Sequence, residues 1–320
     1  MLRQPETRYT GLAIDSGGAM SQIILNLLAI FVCALLAHLF PEATFLGAYA
    51  ILGPAHYLTE ISWLHDRKYF VGRPGLWITV ALVVLMVMLV RPHTPAAAGL
   101  LFALIGGLIA SGIAMPFSMM ALTVIGSAFV GSAGVIFGWV AVIAVAILIP
   151  TLLHVFAFTA MFMVNGALRT RRWIDWLPPL ALALATASFL LLPTVDLGHG
   201  RFLNTVTQGF SNLFAQLSGP GRSIELRLVG FVGFAYAYHY ANWFLKTGLL
   251  GWHRVSQWRL VMIASAWLVM MYAYTQDILL GLLISLPLSL GHVLLELPLN
   301  VMTARRLLGM ALLRKNLSAS

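Results

Sequence analysis

Two short stretches of this 320-residue chain set a glutamate four residues after a histidine inside an otherwise apolar run. They are "HYLTE", His56 to Glu60, and "HVLLE", His292 to Glu296. The i,i+4 spacing puts imidazole and carboxylate on one helix face. A metal-bound imidazole takes a carboxylate on its other nitrogen, usually from a neighbouring segment, and a carboxylate is itself a hard ligand for iron. Two further histidines, His154 and His239, also sit deep in apolar runs. Ionisable groups within a bilayer are expensive and persist where they face a protein interior and have partners. Four imidazoles without a cysteine partner suit iron, copper or zinc, or alternatively a proton or cation path. His56, His154, His239 and His292 are therefore the candidate metal ligands, with Glu60 and Glu296 beside them as catalytic groups or ligands. The other five histidines, His38, His65, His93, His199 and His253, fall at the ends of apolar runs or in loops and read as wet, interfacial residues.

Around His239 the chain reads "GFAYAYHYANWFLKT". Tyr236 and Trp243 share a helix face with His239. Tyr236 is a candidate catalytic residue, Tyr240 and Trp243 are candidate pocket walls, and Asn242 is placed to orient a ligand or bind a water. Gly53, Pro54 and Gly291 precede two of the deep histidines and loosen the helix there.

The elements that must position these groups are membrane helices. The chain is 60% hydrophobic and 9% charged, against about 25% charged in an ordinary soluble domain. Apolar runs long enough to cross a bilayer recur along its length. The expected fold is all-α, a polytopic transmembrane bundle of about ten spans. They are placed near 21–40, 44–66, 74–91, 96–114, 117–138, 140–168, 174–193, 226–246, 257–275 and 277–297. The first run is too long for a signal-peptide core and reads as a retained span.

The net charge of +9 comes from Arg and Lys gathered in "HDRKYFVGR", "RTRR", "KTGLLGWHR" and the tail with Arg305, Arg306, Arg314 and Lys315. Such clusters mark the cytoplasmic side, so both termini are expected inside. They are loop anchors, not a nucleic-acid surface. The organisation that follows is a cytoplasmic segment 1–20, one helical membrane domain 21–301 and a basic cytoplasmic tail 302–320. The extracytoplasmic connection 194–225 carries a candidate interfacial helix, "RFLNTVTQGFSNLFAQLSG". The single cysteine, Cys33, excludes a disulfide within the chain and any cysteine-based zinc site.

On this topology each deep histidine lies on a span running inward. Counted at the helical rise, His56, His154, His239 and His292 lie about 18, 21, 20 and 22 Å from the outer end. Four imidazoles at one depth on four helices can meet at one point.

The order of motifs resembles the bacterial Brp/Blh-type β-carotene dioxygenases, membrane proteins that cleave carotene to retinal with histidine-bound non-haem iron. "GPAHYLTE" looks like that family's "GxPHGxxD", with Glu60 at the acidic position. "LLHVFAFT" around His154 looks like its "HFGxxD" element, "YAYHYANWF" like its "HxxxH" among aromatics, and "LGHVLLELP" like its late "PHxxxxD". Trp243 stands where the second histidine of "HxxxH" would be, and Thr159 where the acid after His154 would be. The resemblance implies a membrane-embedded oxygenase with Fe(II), dioxygen and a lipidic substrate such as a carotenoid or polyene, in a bacterial inner membrane. In that setting His292 or Glu60 would replace the missing ligand. The reading from another class is a transporter that runs protons or cations along the same buried His and Glu residues. Phosphate-loop, dinucleotide and serine-nucleophile motifs are absent, as are the histidine boxes of di-metal membrane hydroxylases.

Overall fold

The computed structural model describes residues 16–67, 77–78, 80–82, 84–85, 89, 94–113, 115–137, 149–170, 172–195, 197, 222–246 and 255–318. Every regular element among them is helical. In chain order they are α1 (Ser16–Leu39), α2 (Pro41–Gly47), α3 (Gly53–Arg67), α4 (Pro95–Gly112), α5 (Phe117–Gly134), α6 (Ile149–Leu152), α7 (Thr159–Thr170), α8 (Leu177–Leu191), α9 (Arg222–Leu245), α10 (Gln257–Gln276) and α11 (Ile278–Ser318). Two π-helical turns interrupt this series. Ala48–Leu52 joins α2 to α3, and Leu153–Phe158 joins α6 to α7. The candidate interfacial helix in 194–225 and most of the span expected at 74–91 lie outside the described residues.

Local chemistry sets the helix ends. Pro41 and Pro95 occupy first-turn positions, where a missing N–H costs nothing. Thr94 accepts a side-chain hydrogen bond from the Ala97 amide, and Ser256 one from the Arg259 amide. Asp277 accepts from the Leu280 amide at 3.1 Å and starts α11. The first π turn has a similar cause. Pro54 has no N–H to offer, and the Gly53 amide reaches back five residues to the Ala48 carbonyl.

Four helices among the described residues are long and apolar enough to cross a membrane: Met20–Leu39, Phe117–Gly134, Trp173–Leu191 and Leu280–Gly309. The distribution of polarity fits that environment. Ile24, Leu28 and Phe31 on α1, Leu122, Ile125 and Phe129 on α5, and Leu184 and Leu190 on α8 are exposed. The buried interior, largely apolar itself, also holds His56, Thr59, Glu60, Thr151, His154, Thr159, His239, Asn242, Ser285, Ser289, His292, Glu296 and Asn300. An apolar outer surface over an interior with a polar cluster is the order a bilayer allows and water does not.

Close backbone approach binds the bundle. A Cβ built on Gly131 of α5 would lie 2.6 Å from the Ala98 carbonyl oxygen of α4, and one on Gly106 would lie 2.3 Å from Ser127 Oγ. α4 and α5 therefore pack through small residues. Gly233 of α9 lets that helix lie against the backbone of α2, at Pro41 and Phe45.

Contacts between helix ends group the connections into two sides. The Val195 amide bonds the His38 carbonyl at 2.9 Å, joining the ends of α1 and α8. At the other side Arg259 donates to Asp66 at 2.5 Å, and Arg305 donates to the Ile113 carbonyl.

Candidate metal centre

His56 enters the interior from the first turn of α3, directly after a π turn. His154 lies within the second π turn. His239 projects from α9 and His292 from α11, one turn and a half after the helix-interior Pro287. A π turn adds one residue and re-aims the side chains near it, and such turns recur at functional sites. All four imidazoles converge. Ring centroids are 4.7 Å apart for His56–His239, 4.8 Å for His154–His239, 5.0 Å for His154–His292, 5.4 Å for His56–His292 and 6.4 Å for His56–His154.

Hydrogen bonds show how the rings are turned. His239 Nε2 lies 3.1 Å from His56 Nε2, and that same His56 atom lies 2.9 Å from Glu60 Oε2. The Glu60 carboxylate therefore stays with the histidine of its own helix, as the i,i+4 spacing implies. Glu296 does not. It reaches across from α11 to His154 Nδ1 at 2.5 Å, and its carboxylate accepts from Asn300 Nδ2 at 2.9 Å. The carboxylates of Glu60 and Glu296 also come within hydrogen-bonding reach of each other. Thr159 engages His239 Nδ1 at 2.9 Å.

One ligand atom from each of His56, Glu60, His154 and His239 can be chosen so that all four lie within 4.8 Å of one another. This group could hold a metal ion. His292 is outside it, although its ring packs on those of His56, His154 and Tyr57. His154 Nε2 is buried without a hydrogen-bond partner among the described residues. A buried imidazole lone pair with no donor opposite it is uncommon in a finished interior. The same holds for both ring nitrogens of His292, which is outside the group. The residues present fit a transition metal that accepts imidazole and carboxylate donors.

The aromatic residues divide by distance. Tyr240 is 4.7 Å from the His56 ring and 5.5 Å from His239, and Trp243 is 5.1 Å from His56, all between centroids. Trp243 also donates from Nε1 to Thr59 at 3.1 Å, while Thr59 donates to the His56 carbonyl at 2.7 Å. Tyr236 is one ring further out. It packs on Tyr240, Tyr49 and Phe45 at 5.8 to 5.9 Å. Asn242 is buried, and its Oδ1 has no hydrogen-bond partner among the described residues.

Comparison with protein-family models, curated proteins and solved structures finds no match to this chain. The geometry of the centre therefore carries the functional argument.

Of the other histidines, His38 bonds Ser188 Oγ at 2.8 Å and stacks on Phe189 at 4.1 Å, and His65 is exposed beside Asp66. His93, His199 and His253 lie outside the described residues. Two parts of the centre escape a reading by sequence. The π turns leave no mark in hydrophobic periodicity. Thr159 matters through a hydrogen bond to a residue 80 positions away, although its location five residues after a deep histidine was a usable signal.

Proposed function

We propose that this chain is a membrane-embedded non-haem iron oxygenase acting on a lipidic substrate such as a carotenoid or another polyene. The observation that carries the proposal is the convergence of His56, His154 and His239 with Glu60 inside a molecule whose outer surface is apolar. A bound Fe(II) would supply dioxygen chemistry. The protein holds its ligands in fixed orientation, with Glu296 on the far side of the His154 ring and Thr159 on that of His239. Tyr240 and Trp243 close the centre against His56 and exclude water from it. Tyr236, Tyr49 and Phe45 continue that aromatic cluster away from the histidines, Tyr236 meeting both other rings edge to face.

About ten spans, both termini in the cytoplasm and residence in a bacterial inner membrane belong to the same proposal. So does the relationship to the Brp/Blh-type dioxygenases, which rests on the four short motifs. The test is elemental analysis of purified protein, wild type beside His56→Ala and His239→Ala. Near-stoichiometric iron in wild type, lost from both variants, is the expected result. A folded wild-type protein that stays metal-free after iron supplementation overturns the reading.

One observation favours a second reading. Asn300, Glu296, Glu60, His56, His239 and Thr159 follow one another as polar neighbours in the interior, with His154 branching from Glu296. A proton- or cation-coupled transporter would use such a path. In that case the metal-free protein in vesicles takes up protons or cations, and His56→Ala abolishes the uptake.

A further inference from the structure

The Thr159 hydroxyl has two neighbours and one proton. It lies 3.0 Å from the Val155 carbonyl oxygen and 2.9 Å from His239 Nδ1. A carbonyl only accepts, so the hydroxyl proton goes to Val155. The oxygen lone pairs then face His239, and the bond closes only when Nδ1 carries the ring proton. His239 Nε2 is thereby left as a bare lone pair. That atom is the one pointing into the cluster, 3.1 Å from His56 Nε2.

The local fold accounts for the direction of the hydroxyl. Val155 and Thr159 span the end of the second π turn. There the Thr159 amide is directed to the Phe156 carbonyl, and the threonine side chain takes the Val155 carbonyl instead. Both Thr159 and His239 are buried, so no water competes for either bond.

We propose that Thr159 is a positioning residue for the metal centre: it locks His239 in the Nδ1-protonated tautomer and so presents the Nε2 lone pair to the ion. The inference rests on the metal-centre reading and deepens it. Removing the hydroxyl frees His239 to carry its proton on Nε2, where it would donate to Glu60 or His56 and close the site to a ligand bond. A partner of this kind, holding the ring nitrogen that does not bind the metal, is worth about ten- to a hundredfold in metal affinity.

The test uses cobalt(II) alone as the probe, with the full chain in detergent. Affinity and the cobalt absorption spectrum are read for wild type, Thr159→Val and Thr159→Ser, alongside their thermal unfolding. Valine keeps the shape and loses the hydroxyl, whereas serine keeps the hydroxyl. The expected result is a loss of about ten- to a hundredfold in affinity for Thr159→Val, with an altered spectrum, and near-wild-type binding for Thr159→Ser. Equal binding by wild type and Thr159→Val overturns this inference and leaves the metal centre standing. Equal weakening in Thr159→Val and Thr159→Ser also overturns it, because packing rather than the hydroxyl would then be responsible. A wild-type chain that takes up no cobalt removes the metal-centre reading and this inference with it.

Discussion

Each imidazole of the centre has a different kind of neighbour on its outer side. His154 has the Glu296 carboxylate, His239 has a neutral hydroxyl, and His56 Nδ1 has no hydrogen-bond partner among the described residues. A carboxylate raises the basicity of the ring it holds, and a hydroxyl only orients it. Glu296→Gln keeps a group of the same size and loses the charge. It is expected to weaken cobalt binding about tenfold or more, read by the same titration. Asn300→Ala removes one hydrogen bond to that carboxylate and is expected to have a smaller effect, about 1 kcal/mol on stability, measured by thermal unfolding. The sequence shows the His56–Glu60 pair plainly, because i,i+4 spacing is a property of a single helix. It shows Glu296 equally well as a buried acid but implies the wrong partner. His154 and Glu296 are 142 positions apart, and no spacing rule connects them. Thr159 reads as a missing acid until its bond to His239 is seen.

The elements that aim these residues are ordinary apolar helices with two irregular turns. Hydrophobic runs give away helices such as α1 and α5, with ends close to those expected. A π turn is invisible by that route, because a run that is apolar all round shows no helical phase to be shifted. Its effect on aim is large, since each helical residue turns the chain by about 100°. Deleting Ala157 is expected to restore a plain α-helix across 153–158 and to rotate His154 away from Thr159 and the centre. Circular dichroism should then show unchanged helix content while bound cobalt is lost. The α4–α5 pair supplies a prediction of a different kind. Gly131→Val puts a side chain where the Ala98 carbonyl and the Phe102 ring already lie. A cost of about 1–3 kcal/mol is expected for such overpacking, seen as a lower unfolding temperature in detergent.

At the scale of the whole molecule, polarity is sorted from outside to inside. The Arg259–Asp66 and Val195–His38 contacts tie chain ends together pairwise. The number of spans is less legible, for a physical reason. α3 and α9 carry the site, and their His, Glu, Asn and Tyr residues dilute the apolar signal by which spans are recognised. Neither is among the four helices that qualify within the described residues: α9 is long enough but too polar, and α3, at 15 residues, is also too short. The outer surface is open to test. Leu28 lies midway along α1 and is exposed. Leu28→Asp is expected to cost about 2.5–3.5 kcal/mol of insertion free energy. Less of the variant chain should then survive alkaline extraction in the membrane fraction.

The Glu60 carboxylate rests on the imidazole of its own helix, and Glu296 rests on one made much earlier in the chain. This difference matters during synthesis, when helices enter the bilayer in order. α3 is made long before α9 and α11, and its acid needs a companion from the start. Its neighbour one turn back lets the pair share a proton and enter the lipid as a neutral unit. By the time α11 is made, His154 is already in place to receive Glu296. Each of these two acids thus has a companion already made when it leaves the ribosome.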